Sequence, residues 1–308
     1  MLLLFLRLHY VGFIIEQHRE RQEGEVKILL NRKTTKFLKG QVVTRAILLA
    51  VCIPFLLPFF WMLSTALKTL PQTVTFPPVW IPDPIVWDNF REAIQTIPFF
   101  TYFKNTAFYV AFSIVGTLIS CPLVAYGLSM VRWPARDSLL LLILATMMIP
   151  FPVTMIPLFI IFGRLGWINT YAPLIVPTFF GTPFFIFLLR QFFMTIPPAL
   201  PDASRIDGAS ELTIFTRVIL PLCKPVLGVV ALFQFLASWN NFMGPLIYLM
   251  EESKYPLSLG LQDYRSTYFV EWNLFMAAST IVVVPTVIIF FIFQRRLIEG
   301  IHLTGVKE

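Results

Sequence analysis

The sequence predicts an all-α polytopic membrane protein. Six transmembrane helices are expected, with two short cytoplasmic helices between the fourth and fifth. Three observations predict it. Hydrophobic residues make up 57% of the 308-residue chain and charged residues only 13%, a balance far from ordinary soluble usage. The apolar residues fall into six runs, 46–67, 106–131, 138–163, 171–189, 226–250 and 272–293, none containing Asp, Glu, Lys, Arg or His. At a rise of about 1.5 Å per residue these helices are ~28–39 Å long, enough to cross a hydrocarbon core of ~30 Å. Finally, Lys and Arg follow the topology. With the N-terminus inside, the inner segments hold 18 of the 24 and the outer segments six. That asymmetry sets orientation and places both termini in the cytoplasm. It also accounts for the net charge of +7 without any nucleic-acid partner.

Taken in order, residues 1–45 form a cytoplasmic N-terminal segment. Its first fifteen residues only loosely resemble a signal sequence, since Arg7 and His9 interrupt them and no small-x-small site follows. They read either as an interfacial helix or as residues upstream of the true start. Residues 16–45 are mixed-charge and predict a helix leading into the first span. The outer loop 68–104 carries too many prolines over 76–84 for helix or central strand. It predicts an extended segment anchored at headgroup level by Trp80 and Trp87, followed by a short amphipathic helix over 88–97. Segments 132–137 and 164–170 are tight turns, inner and outer respectively. Residues 251–271 form the second outer loop, and 299–308 a cytoplasmic tail after the 46–298 transmembrane domain.

Prolines crowd the spans: Pro54 and Pro58 in the first, Pro122 in the second, Pro150, Pro152 and Pro157 in the third, Pro173, Pro177 and Pro183 in the fourth, Pro285 in the sixth. Each removes a backbone hydrogen bond and can kink its helix. They read either as packing geometry or as hinges around a transport path. Cys52, Cys121 and Cys223 lack metal-ligand spacing and read as small buried apolar residues.

The composition excludes several functions. His9, His18 and His302 are the only histidines, all near the termini, and no His/Cys/Asp/Glu cluster has metal spacing. No Gly-rich phosphate loop occurs. The chain is therefore expected to bind no metal, cofactor or nucleotide and to be no enzyme. Uncharged spans argue against ion coupling, which uses intramembrane ionisable groups. They suit a neutral polar solute.

One polar segment stands out, in the stretch 196–221. Pro197, Pro198 and Pro201 end the fourth span. Asp202 is placed to cap a short helix. Gly208 supplies a sharp turn by adopting positive φ. Ser210 caps a second helix, and Pro221 opens the fifth span. The pair reads either as a compact docking knob or as an ordinary turn with normal caps.

At these residues the sequence resembles the inner-membrane permeases of binding-protein-dependent ABC importers. Their signature is Glu-Ala-Ala, three residues, Gly, nine residues, Ile, one residue, Leu-Pro. Here Asp202, Ala203 and Ser204 stand in the first three places, Gly208 in the glycine place, Val218 in the isoleucine place, and Leu220-Pro221 close it. The spacing is kept throughout; Asp for Glu shortens the carboxylate. Arg205-Ile206-Asp207-Gly208-Ala209-Ser210, Gly166-Trp167-Ile168-Asn169-Thr170 and Trp239-Asn240-x-Phe242-x-x-Pro245-Leu246 resemble the carbohydrate branch, specifically the second permease of maltose-type systems.

The resemblance implies a permease paired with a homologous second permease, above two ATPase subunits that use ATP and Mg, with a solute-binding protein docking outside. Asp202, Ala203, Ser204, Arg205, Asp207, Gly208, Ala209, Ser210, Leu220 and Pro221 would seat in an ATPase groove. The cargo would be a sugar or oligosaccharide; glycerol phosphate, or self-sufficient secondary transport, are the alternatives. Gln234, Ser238, Asn240 and Asn241, expected in the fifth span, read either as lining the path or as interhelical hydrogen bonds.

Overall fold

A computed structural model describes residues 41–265 and 270–305, with side chains through Gln294 in the last helix. The chain divides into two compact units, Met1–Trp61 and Met62–Glu308. In the first, the described residues belong to helix α1 (Gln41–Ala66), whose last residues lie in the second unit. Pro54 and Pro58 lie within α1. Its apolar side chains, Leu48 and Phe55 among them, are exposed, and so is Cys52, against expectation, while Cys121 and Cys223 are buried. An exposed apolar helix face suits a lipid surround, so Cys52 needs no protein core. Most of the helix expected over 16–45 lies outside the described residues.

In the second unit, α2 (Leu70–Thr73) precedes irregular chain over 74–86, as the prolines require. Helix α3 (Asp88–Thr96) follows and buries Asn89 and Ala93. The Asn89 amide donates to the Ala66 and Lys68 carbonyls at 2.9 and 2.8 Å. It thereby satisfies carbonyls that the end of α1 leaves open.

Helix α4 (Phe99–Ser129) begins seven residues before the expected start of the second span. Lys104 and Asn105 therefore stand in its first turns. Asn105 donates to the Ser253 and Tyr255 carbonyls, which holds the expected outer loop against α4. The expected third span is two helices, α5 (Arg136–Thr146) and α6 (Phe151–Arg164), bent by 97°. Pro150 precedes α6 and Pro152 lies in its first turn, positions where a missing N–H interrupts the preceding helix and suits the next.

The fourth span shows the same rule three times. It comprises α7 (Ala172–Ile175), a 3-10 segment (Val176–Phe180) and α8 (Pro183–Phe193). Pro173, Pro177 and Pro183 each sit in the first turn of a new segment.

The fifth span starts at α12 (Lys224–Trp239), opened by Pro225 and not by Pro221, and ends well before residue 250. The reason lies in Asn241. Its side-chain oxygen accepts from the Gly244 N–H at 3.0 Å. Pro245 has no N–H for the Asn241 carbonyl, which accepts from Ser258 Oγ at 2.7 Å instead. The chain breaks there and resumes as α13 (Met243–Tyr248). Asn240 and Asn241 thus stand beyond the helix, not inside it. Then come α14 (Leu257–Gly260) and α15 (Trp272–Gly305), which extends into the expected tail.

Among the described residues, four helices are long and apolar enough to cross a membrane, and up to six if each bent pair, 136–164 and 211–239, counts as one span. Helix α4 packs against α8, α12 and the 3-10 segment. It joins two apolar cores. One gathers Cys121, Ala125 and Tyr126 with Leu189, Phe193, Ile214 and Ile219. The other gathers Tyr102 and Tyr109 with Trp239, Leu257, Tyr264 and Ala277.

Candidate functional site

The polar segment folds as α9 (Ala199–Ile206), α10 (Glu211–Ile214), a π turn (Phe215–Ile219) and α11 (Leu220–Leu222). Asp202 does not cap α9. The helix opens at Ala199 after Pro198, since prolines suit the start of a helix, and Asp202 falls within the first turn. There its carboxylate accepts from Arg205 Nη1 at 2.7 Å.

Gly208 closes α9 with φ +80°. Its N–H reaches the Arg205 carbonyl, and that of Ala209 reaches the Ser204 carbonyl, both at 3.0 Å. This is the two-bond stop that a left-handed residue makes possible. Ser210 then caps α10, its hydroxyl oxygen accepting from the Thr213 N–H at 3.3 Å. The second helix is anchored by Ile214, Phe215 and Ile219, all buried. Ala209 and Leu220 pack against the same core. Asp202, Ala203, Ile206, Asp207, Ser210 and Leu212 face outward. Leu220-Pro221 stands before an 80° bend that leads into α12.

Two residues outside the expected coupling set, Glu211 and Tyr126, complete the arrangement. Arg205 Nε donates to Glu211 Oε1 at 2.7 Å, and the Tyr126 hydroxyl on α4 donates to Glu211 Oε2 at 2.5 Å. The Arg205 hydrogen bond, with that of Tyr126, holds the Glu211 carboxyl below its ordinary pKa. Arg205 Nη2 also reaches the Met130 carbonyl at 3.2 Å. A signal for Glu211 exists in the sequence: Arg205 and Glu211 each lie three residues from Gly208, so a sharp reversal there brings them opposite one another.

The four expected path residues do not converge. Gln234 and Ser238 are buried and bonded to each other, Nε2 to Oγ at 2.8 Å. The Ser238 carbonyl accepts from the Tyr109 hydroxyl, so this pair packs toward α4. Asn240 is exposed and donates to the Leu236 carbonyl. Of the four, Asn241 lines a cavity of about 380 Å³, with Phe151, Phe162, Pro177, Met243 and Tyr248. Aromatic walls with one amide can stack on and hydrogen-bond a polar ring. Among the described residues no group of three or more His, Cys, Asp or Glu could hold a metal ion.

Fold and site define a multi-pass helical membrane protein that carries a braced two-helix protrusion. The chain belongs to the binding-protein-dependent transport system inner membrane components, whose family model matches residues 123–302. It is 35% identical over 227 residues to the arabinooligosaccharides transport system permease protein AraQ of Halalkalibacterium halodurans, covering 73% of this chain and 81% of that one. It is 28% identical to the diacetylchitobiose uptake system permease protein DasC of Streptomyces coelicolor, covering 88% and 98%. It is 29% identical to the lactose transport system permease protein LacG of Rhizobium radiobacter, covering 88% and 96%. A crystal structure of a bacterial ABC transporter involved in the import of the acidic polysaccharide alginate matches with TM-score 0.72 and 25% identity, over 82% of this chain and 95% of the matched one.

Proposed function

We propose that the chain is one permease subunit of an ATP-driven importer for a sugar or oligosaccharide. It pairs with a second permease, takes cargo from an external solute-binding protein and rests on two ATPase subunits that use ATP and Mg. Both termini face the cytoplasm, on the side of the protrusion. The observation that carries this reading is the protrusion itself, stopped at Gly208, capped by Ser210 and braced by Arg205. A rigid body of that kind can convert closure of soluble domains into helix movement, because packed bundles switch between arrangements rather than deform smoothly. Its outward residues Asp202, Ala203, Ile206, Asp207 and Leu212 are the ones that would seat in an ATPase groove.

Carbohydrate as cargo is supported by the sugars in the relatives' names and by the aromatic cavity beside Asn241. The test is uptake of radiolabelled arabinotriose into proteoliposomes holding the complete transporter. ATP-dependent uptake that requires the binding protein is the expected result. Uptake by this chain alone on an ion gradient would instead make it a secondary transporter, and uptake of glycerol phosphate in place of sugar would change the cargo class.

A further inference from the structure

The C-terminal end of α4 is finished by side chains from four places. Trp133 Nε1 donates to the Gly127 carbonyl at 2.9 Å and Arg190 Nε to Leu128 at 3.1 Å. Arg136 Nη1 donates to Ser129 at 3.4 Å and Arg205 Nη2 to Met130 at 3.2 Å. The last carbonyls of a helix lack intrahelical donors and together carry roughly half a negative charge, so guanidiniums belong there. Trp133 comes from the turn after α4, Arg136 from α5 and Arg190 from α8, all part of the helical bundle. Arg205 alone comes from the protrusion.

That difference has a mechanical consequence. Arg205 holds Asp202 on its own helix and Glu211 on the next, both at 2.7 Å, so its guanidinium travels with both halves of the protrusion. Tyr126, one turn before Met130, grips Glu211 from the α4 side. The protrusion therefore holds the last turn of α4 through two of its own residues. The chain itself enters the bundle at both ends of the protrusion: residues 194–198 join α8 to α9, and a π turn and an 80° bend separate α10 from α12. Sharp kinks in helices gather at π segments, among a few other causes. Helix α4 belongs to both apolar cores, so a displacement delivered to its end reaches packing along its whole length.

We infer that Arg205 is a positioning residue that carries movement of the protrusion directly into α4, with Glu211 and Tyr126 completing the grip. The inference rests on the importer reading above and adds to it a side-chain linkage, parallel to the chain's own paths into α8 and α12. It assigns Arg205 to the bundle side of the protrusion rather than to the ATPase contact.

The experiment measures spin-label separations in the reconstituted transporter, with Cys52, Cys121 and Cys223 replaced by alanine. Labels at Arg132→Cys, just past α4, and Thr216→Cys, just past α10, are both at exposed positions. A third, Arg164→Cys, sits at the end of α6. With the grip intact, ATP should change the distances from the third label while leaving the first two at constant separation. In Arg205→Gln and in Tyr126→Phe that separation should change with ATP. Arabinotriose taken up per ATP hydrolysed should fall by about tenfold in Arg205→Gln, within the usual range of coupling between sites. Tyr126→Phe keeps the ring packed on Phe215 at 5.2 Å, so it tests the grip without disturbing the core. An unchanged separation and ratio in both variants overturns the inference. So does a common loss of assembly and hydrolysis in both, which is the signature of a merely structural role. No response to ATP at the third label in the native protein overturns the importer reading, and the inference with it.

Discussion

Arg190 and Leu128 are joined across the bundle: the Arg190 Nε in the last turn of α8 donates to the Leu128 carbonyl near the end of α4 at 3.1 Å. The same guanidinium holds Asp137 at 3.5 Å, and its side chain is only 11% exposed. By charge count alone Arg190 is one more inner cation; in the fold it closes the end of a neighbouring helix. Arg190→Met should lower stability by about 1.5–3 kcal/mol, the range for hydrogen bonds to charged groups. Arg190→Lys should recover only part of this, because an ammonium lacks the planar fork. Thermal denaturation in detergent measures both.

The Arg205–Glu211 pair gives a pH dependence whose sign is determined. Glu211 is held below the ordinary value of 4.5, first by its hydrogen bond from Arg205. A carboxyl depressed in the folded state stabilises above its unfolded pKa and loses that contribution as pH falls through the depressed value. The stability difference between the native protein and Glu211→Gln should thus be constant from neutral pH down to about 4.5 and shrink below it. Parallel melts across that range check it; a difference that instead shrinks between pH 8 and 6 would exclude the pair as its source.

Gly208 has open space where a Cβ would stand, yet its φ is +80°. Substitution is therefore opposed by backbone conformation and not by a clash, at a cost of about 1–2 kcal/mol for an L-residue. Gly208→Val should insert normally but hydrolyse ATP with little solute uptake in the assembled transporter. Gly208→Asn should be milder, since Asn tolerates this region. Native uptake by Gly208→Val would count against the coupling role.

Gly116 tests the packing of α4. A Cβ there would overlap the Thr178 hydroxyl and the Phe179 ring, so the absence of a side chain lets the 3-10 segment approach. Gly116→Ala should destabilise by about 1–3 kcal/mol, as overpacking does. The readout is the fraction folded after heating, with Gly127→Ala, which meets nothing within 4 Å, as the control.

Asn241 and Asn240 should separate in transport assays. Asn241→Ala removes the cavity's amide and the cap on Gly244, and should raise the KM for arabinotriose severalfold. Asn240→Ala removes one exposed bond to Leu236 and should leave KM unchanged. Equal effects of the two would point to packing at the end of α12 instead of solute contact.

Much of the fold is legible in the chain because lipid imposes a simple rule. A spanning helix needs about twenty apolar residues, and the runs over 106–131 and 272–293 announce α4 and α15 without any structure. The protrusion is legible for the same kind of local reason. Gly208 and Ser210 act through their own φ and hydroxyl, and both do in the fold what their residue types predict. Asp202 fails that test because Pro198 starts the helix earlier, a choice made by neighbouring residues.

The sequence by itself determined the class: an all-helical membrane chain, its apolar runs and its glycine turn. These depend on single residues or short windows. Tertiary structure decided which break becomes a 97° bend, that α12 ends at Trp239, that Gln234 pairs with Ser238, and that Arg205 closes the end of α4. Each of those is a contact between residues far apart along the chain, or a competition for one carbonyl. Which partner wins depends on where the rest of the backbone stands.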